Sequence, residues 1–244
     1  MFQNQLIGAG ASRGGPDGVH FTEGVGDSSN ASADFTNNGG FTVTKTKSGV
    51  DIGDAYPDRM IIAAVKYNTW YYGNGTLDYV SINGTNMNVL YSLYASSGED
   101  GLFLCYLEDA SANTTADIVV ASKELSGTST KMFHSCVAEF WAIYGRSTTP
   151  YDSATAQAAA PPVSLAIDCP AGGVVIAGGG NRRTGALTQS YFDSLDLDYR
   201  AEANSLGCGF SKAYGTAQTN LDVDYHYYYV HSTNSSVCAV ASWA

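Results

Sequence analysis

The chain encodes an all-β fold, an antiparallel β-sandwich preceded by an extended N-terminal arm, and two observations predict it. The first is composition. Charged residues fill only 14% of the 244 positions, well below the usual quarter. Gly (27 residues) and Tyr (17), with abundant Ser, Thr, Asn and Val, replace the Leu, Glu and Lys that helices prefer. The second is spacing: about ten to twelve short apolar or alternating runs are separated by Gly, Pro, Asn, Asp and Ser clusters, the signature of a sandwich or barrel. Hydrophobic residues at 44% supply enough surface for a buried core.

Residues 1–39 read as the arm, polar and glycine-rich, with apolar anchors at Phe2, Leu6, Ile7 and Phe21. Residues 40–244 read as a single β-sandwich domain. "GFTVTKTKSG" alternates and closes at Gly49. "DRMIIAAVKYNTWYY" is apolar through its first half, as in a strand covered on both faces. "DYVSINGT" ends in Asn83-Gly84, a hairpin signal, and leads into "MNVLYSLY". "GLFLCYLE", "ADIVVASK", "FHSCVAEFWAIYG", "VSLAIDCP", "GVVIAGGG", "LGCGFSKAY", "DVDYHYYYVHS" and "SVCAVASWA" follow as further strands. The one helix-friendly stretch, "DSATAQAAAPP", is stopped by Pro161 and Pro162.

Charge and cysteine usage exclude several classes. A net charge of −11 repels a phosphate backbone, so nucleic acid is not an expected partner. No apolar run approaches bilayer length, and no basic n-region precedes an apolar segment, so neither membrane insertion nor a signal peptide is expected. Cys105, Cys136, Cys169, Cys208 and Cys238 are scattered, and three lie in strand-like runs; reduced, buried thiols are expected.

Two glycine-rich stretches resemble nucleotide loops without being able to act as them. In "LIGAGASRGG" the third fingerprint position holds Arg13, and no helix-forming pattern follows. "VVIAGGGNRRTG" lacks the Lys-Ser or Lys-Thr pair of a phosphate loop. No catalytic residue and no cofactor is expected. Acidic alternation remains: Asp196, Asp198 and Arg200 share one strand face, and Asp222, Asp224 and His226 another. Two such carboxylate pairs facing one another could hold Ca²⁺ or act as a glycosidase acid and nucleophile; the solvated outer face of a sheet explains the same pattern. Tyrosine offers an interaction surface, with Trp70, Tyr71 and Tyr72 in one run and Tyr227, Tyr228 and Tyr229 in another. Exposed rings of this kind suit protein interfaces and the apolar faces of sugars, whereas cross-strand pairing inside a sandwich is the alternative.

Several strings then occur in a telling order: "VDIGDAYPDRMIIAAV", "SINGT", "TTADIVVA", "YGRSTTPYDSAT", "CPAGGVVIAGG" and "VASWA". Over residues 40–244 this order resembles a group of small β-sandwich virion structural proteins of tailed bacteriophages and prophages. The matching positions are Ile52, Gly53, Ala55, Asp58 and Arg59, then Pro170 to Ala177, then Ala241 to Trp243. The resemblance implies a jelly-roll-like, non-enzymatic component of a virion, displayed on the particle surface as a tail-fibre, baseplate-associated or capsid-decoration protein. It implies other virion proteins as partners. The arm, too polar to fold alone yet carrying those spaced apolar anchors, is expected to lie on a neighbouring subunit of a homo-oligomer. A glycan- or host-receptor-binding module, using exposed Tyr and Trp, is the alternative; a polysaccharide hydrolase using the Asp pairs is a third. Structural roles are expected for the matching residues: an Asp58–Arg59 pair tying a loop to a sheet edge, a bend at Gly172-Gly173, and Trp243 plugging the core beside Val240.

Overall fold

In a computed structural model of the protein, the described residues are 19–27, 36–38, 44–68, 75–94, 100–124, 135–158, 161–181, 187–200, 207–229 and 236–244. Among them there is no helix, and the strand pairings are antiparallel. The N-terminal half supplies β1 (Val19–Asp27), β2 (Thr36–Asn38), β3 (Thr44–Asp51), β4 (Arg59–Asn68), β5 (Gly75–Ile82), β6 (Thr85–Asn86), β7 (Asn88–Tyr94), β8 (Asp100–Glu108), β9 (Thr115–Glu124) and β10 (Ser135–Tyr144). The C-terminal half supplies β11 (Asp152–Ala158), β12 (Ala166–Cys169), β13 (Val174–Asn181), β14 (Leu187–Phe192), β15 (Asp196–Arg200), β16 (Gly207–Ala213), β17 (Gln218–Asp222), β18 (Tyr225–Tyr229) and β19 (Ser236–Trp243).

These strands stack in layers. An outer sheet of order β2-β3-β9-β5-β6 covers one face of the sheet β1-β10-β4-β8-β7. Val50, Ile61, Val65, Val80, Phe103, Ile118 and Phe140 fill the space between them. The other face of that second sheet packs on β11-β19-β13-β16-β15 through Met60, Ile62, Leu104, Trp141, Ile176, Ala239 and Trp243. Two small ribbons, β12-β17 and β14-β18, close the far side over Val175, Phe210, Val240 and Tyr225. The two central strands β4 and β13 therefore have core on both sides, which is why "RMIIAAV" and "VVIA" read as unbroken apolar runs.

The expectation of one sandwich over residues 40–244 is thus corrected to two sandwiches back to back, each with its own core, sharing a middle interface. The arm boundary is corrected as well. β1, inside the segment read as an arm, pairs with β10 along its length. Phe21, read as an anchor for a neighbour, packs edge-on against Trp141 of its own chain at 6.0 Å. Phe2, Leu6 and Ile7 lie outside the described residues. "DSATAQA", read as helix-friendly, forms edge strand β11 beside β19. Its small side chains let it lie along the sheet margin, and a bare count of helix formers cannot see that context.

The two halves repeat one strand order. β1-β10-β4-β8 in the first corresponds to β11-β19-β13-β16 in the second, and β3-β9-β5 to β12, β17/β18 and β14. Contacts between the halves exchange as a twofold axis requires: β8 meets β19 where β10 meets β16, and β13 meets β8 where β16 meets β4. Near that axis Ala64 and Gly178, equivalent positions on β4 and β13, touch. A Cβ on Gly178 would lie 2.7 Å from that of Ala64.

Candidate functional site

The side chains named by the sequence separate into different layers. Trp70, Tyr71 and Tyr72 lie outside the described residues. Tyr228 and Tyr229 belong to β18, and only their backbone is described. Tyr227 is buried in the core of the second sandwich, its ring 5.7 Å from that of Tyr225. An exposed role for Tyr227 is therefore corrected: alternation puts Val223, Tyr225 and Tyr227 inward while Asp222, Asp224 and His226 face out. Among the described side chains of this ribbon, the exposed ring is Tyr191, stacked on His226 at 4.5 Å and 9°. Nothing in the period of "LTQSYF" singled it out.

Beside it lies an acidic cluster. Asp193, Asp222 and Asp224 bring one carboxylate oxygen each within 4.8 Å of one another. Asp222 and Asp224 were legible as a pair; Asp193, from the turn after β14, was not. Each has local work. Asp224 accepts from the Leu165 amide at 2.7 Å and the Ser164 hydroxyl at 2.9 Å. Asp222 accepts from the Asp224 amide at 3.3 Å, and Asp193 meets His226 Nε2 at 2.9 Å. The oxygens match what Ca²⁺ prefers, but both oxygens of Asp224 already hold the Val163–Leu165 segment, so the geometry ties loops together without needing an ion.

The other acidic pair does not face this one. A β-bulge between Leu197 and Tyr199 re-aims the intervening residue. Leu197 is pushed outward to 49% exposure, and Asp198 turns into the interface between the sandwiches, where its Oδ2 accepts from Trp141 Nε1 at 2.8 Å. Asp196 stays outside, 3.7 Å from Lys212 Nζ. The expectation that Asp196 and Asp198 share a face is corrected, and the four aspartates do not converge on one cleft. Asp198 has a different neighbour that sequence reasoning missed, Glu139 of β10. Glu139 is fully buried, and its Oε1 has no hydrogen-bond partner. Burial pushes its carboxyl well above the ordinary range, and the nearby Asp198 charge pushes it further. Burial raises Asp198 to about 6 against hydrogen bonds from Ser211 and Trp141.

The five cysteines are buried and form no disulfide. Burial raises the Cys105 thiol to about 12 and lifts Cys169 and Cys238 as well, which makes them packing groups rather than nucleophiles. Among the described residues no helix is long and apolar enough to cross a membrane.

Comparisons of the chain with protein-family models, curated proteins and solved structures found no match.

Proposed function

We propose that the protein is a non-enzymatic structural component of a tailed-phage virion, displayed on the particle surface and working as a homo-oligomer among other virion proteins. One observation carries this reading: the residues that bear the resemblance to such proteins are framework residues. Arg59 is buried and gathers a loop. Its Nη1 donates to the carbonyls of Gly53 (2.9 Å), Asp54 (3.2 Å) and Asn113 (2.8 Å), and its Nη2 pairs with Asp109 at 2.8 Å. The carboxylate partner is thus Asp109 in place of the expected Asp58, which is exposed. Ile52 is fully buried, and Gly53 (φ +81°) leaves no room for a Cβ against Ala142 and Tyr144. Gly172 takes φ +76° at the bend into β13, and Trp243 is fully buried. Trp243 sits with Ala241 and Val174 between the sandwiches, not beside Val240, which faces the other core.

A resemblance written in framework residues is a resemblance of architecture, and the repeated strand order supports a jelly-roll nesting in each half. That nesting serves both viral shell proteins and lectins. The alternative, a module binding a cell-surface glycan or host receptor, draws its support from exposed Tyr191 on His226 and from Tyr151, 58% exposed. Locating the chain in an electron-microscopy map of intact particles tests the leading reading; its absence from the particle would overturn it.

A further inference from the structure

The interface between the two sandwiches is largely apolar, and Glu139 and Asp198 bring carboxyls into it. The pseudo-twofold repeat makes this entry informative. Register pairs Ala64 with Glu139 on one side and Leu104 on the other, and pairs the equivalent Gly178 with Ala239 and Gly209. Glu139 thus corresponds to Ala239, and Gly209 to Leu104. Where the second half presents a methyl group, the first presents a carboxyl. Room for it comes from Gly209, since a Cβ there would lie 3.0 Å from Glu139 Cγ and 2.6 Å from the Trp141 ring. The fold itself does not require an acid at this position, because its own repeat is built without one.

We propose that Glu139 and Asp198 form a proton-binding carboxyl pair clamped between the sandwiches, so that the interface is tightest in acid and loosens as pH rises. Asp198 is the half of the pair that spans the interface, through Trp141 Nε1 of β10. Glu139, buried and with an unpartnered oxygen, holds its proton in preference to ionising beside Asp198. Among the described side chains, other charged groups near the pair have partners of their own. Lys66, on the same face of β4, donates to the Tyr67 carbonyl at 3.3 Å. From β15 and β16, Asp196 and Lys212 meet each other at the surface. Glu23 of β1 accepts from the Asp51 amide, and the described part of β13 carries no charged residue.

The sign follows from linkage. Both carboxyls are raised in the native state, from 3.8 to about 6 for Asp198 and well above 4.5 for Glu139. The folded protein therefore binds protons that the unfolded chain has already released. The pair's stabilisation is complete below the ordinary carboxylate range, is lost as pH rises through about 6, and declines further as Glu139 ionises.

The test compares the full chain with Glu139→Gln/Asp198→Asn, whose amides mimic the protonated pair at every pH. Denaturant unfolding is measured from about pH 4 to about pH 8. The variant's folding equilibrium constant should gain on the wild type by at least about a hundredfold across that span, the ratio that the Asp198 shift of about two pKa units sets, with Glu139 adding to it. Intrinsic-rate-corrected amide exchange in β10, β15 and β16 should accelerate with pH in the wild type only. A constant ratio between the two proteins would overturn the proposal. Should the variant not fold, an infrared or NMR titration of the wild-type carboxyls decides. A protonated carboxyl persisting at neutral pH supports the pair, and ordinary titration of all carboxyls overturns it.

Discussion

Arg59 shows how one side chain can organise a corner of the molecule. A guanidinium carries five N–H donors in a rigid plane, and here they reach the carbonyls of Gly53, Asp54, Asp109, Ser111 and Asn113 and the Asp109 carboxylate. Two loops that would otherwise present unpaired carbonyls around a buried strand end are fixed to β4. Replacing Arg59 with Met strands Asp109 and those carbonyls. The expected cost is about 3–5 kcal/mol of unfolding free energy, as for breaking a buried ion pair, read as a fall in denaturant midpoint. Arg59→Lys should recover little, because an ammonium cannot reproduce the planar fork. The sequence marked this arginine as structural and assigned it the adjacent Asp58. Asp58 lies exposed in the turn that precedes β4, so the true partner had to come from elsewhere in the chain, beyond the reach of local reasoning.

At the scale of elements, strands with strong alternation or unbroken apolar runs were legible, and those departing from a plain pleat were not. β4, β8, β10, β13 and β19 declare themselves through Ile, Val, Leu, Phe and Cys. The Asp196–Arg200 strand alternates on paper, yet its bulge reverses the pattern at Asp198, and no residue in "SLDLDYR" announces a bulge. The tyrosines of "YHYYY" are large enough to fill a core, so ring count alone could not tell surface from interior. The contact between β4 and β13 yields a prediction at this scale. Gly178→Ala places a methyl 2.7 Å from Ala64 Cβ, in a layer where neither strand can retreat. Overpacking of this kind costs about 1–3 kcal/mol. Adding Ala64→Gly should return part of that cost, and a double-mutant cycle would report the coupling; simple additivity would mean that the sandwiches do not meet there.

For the whole molecule, the stacked pair of like sandwiches was not visible in sequence. The halves share little beyond "RMIIAAV" with "VVIA" and "SCVAEFWA" with "SVCAVASW". A twofold relation is a property of packed surfaces, and insertions of different length hide it. The arm hypothesis is sharpened accordingly. Deleting residues 2–35 would remove β1 and leave the β10 edge and the face of Trp141 uncovered, so it confounds folding with assembly. Deleting residues 2–17 leaves β1 in place. We expect the shorter deletion to keep the wild-type melting temperature while reducing oligomeric mass and incorporation into particles, and the longer one to lower stability as well. Ordering such a segment costs about 1–2 kcal/mol per residue in backbone entropy, which a neighbouring subunit would have to offset.

The most direct test is a reconstruction of the intact phage particle by electron cryo-microscopy at a resolution that separates strands. The account predicts repeated copies of this chain on the outer surface, each showing two sandwiches stacked face to face, with residues N-terminal to β1 lying on an adjacent subunit. Particles that lack the chain while infected cells contain it free would contradict the proposal that it is built into the virion.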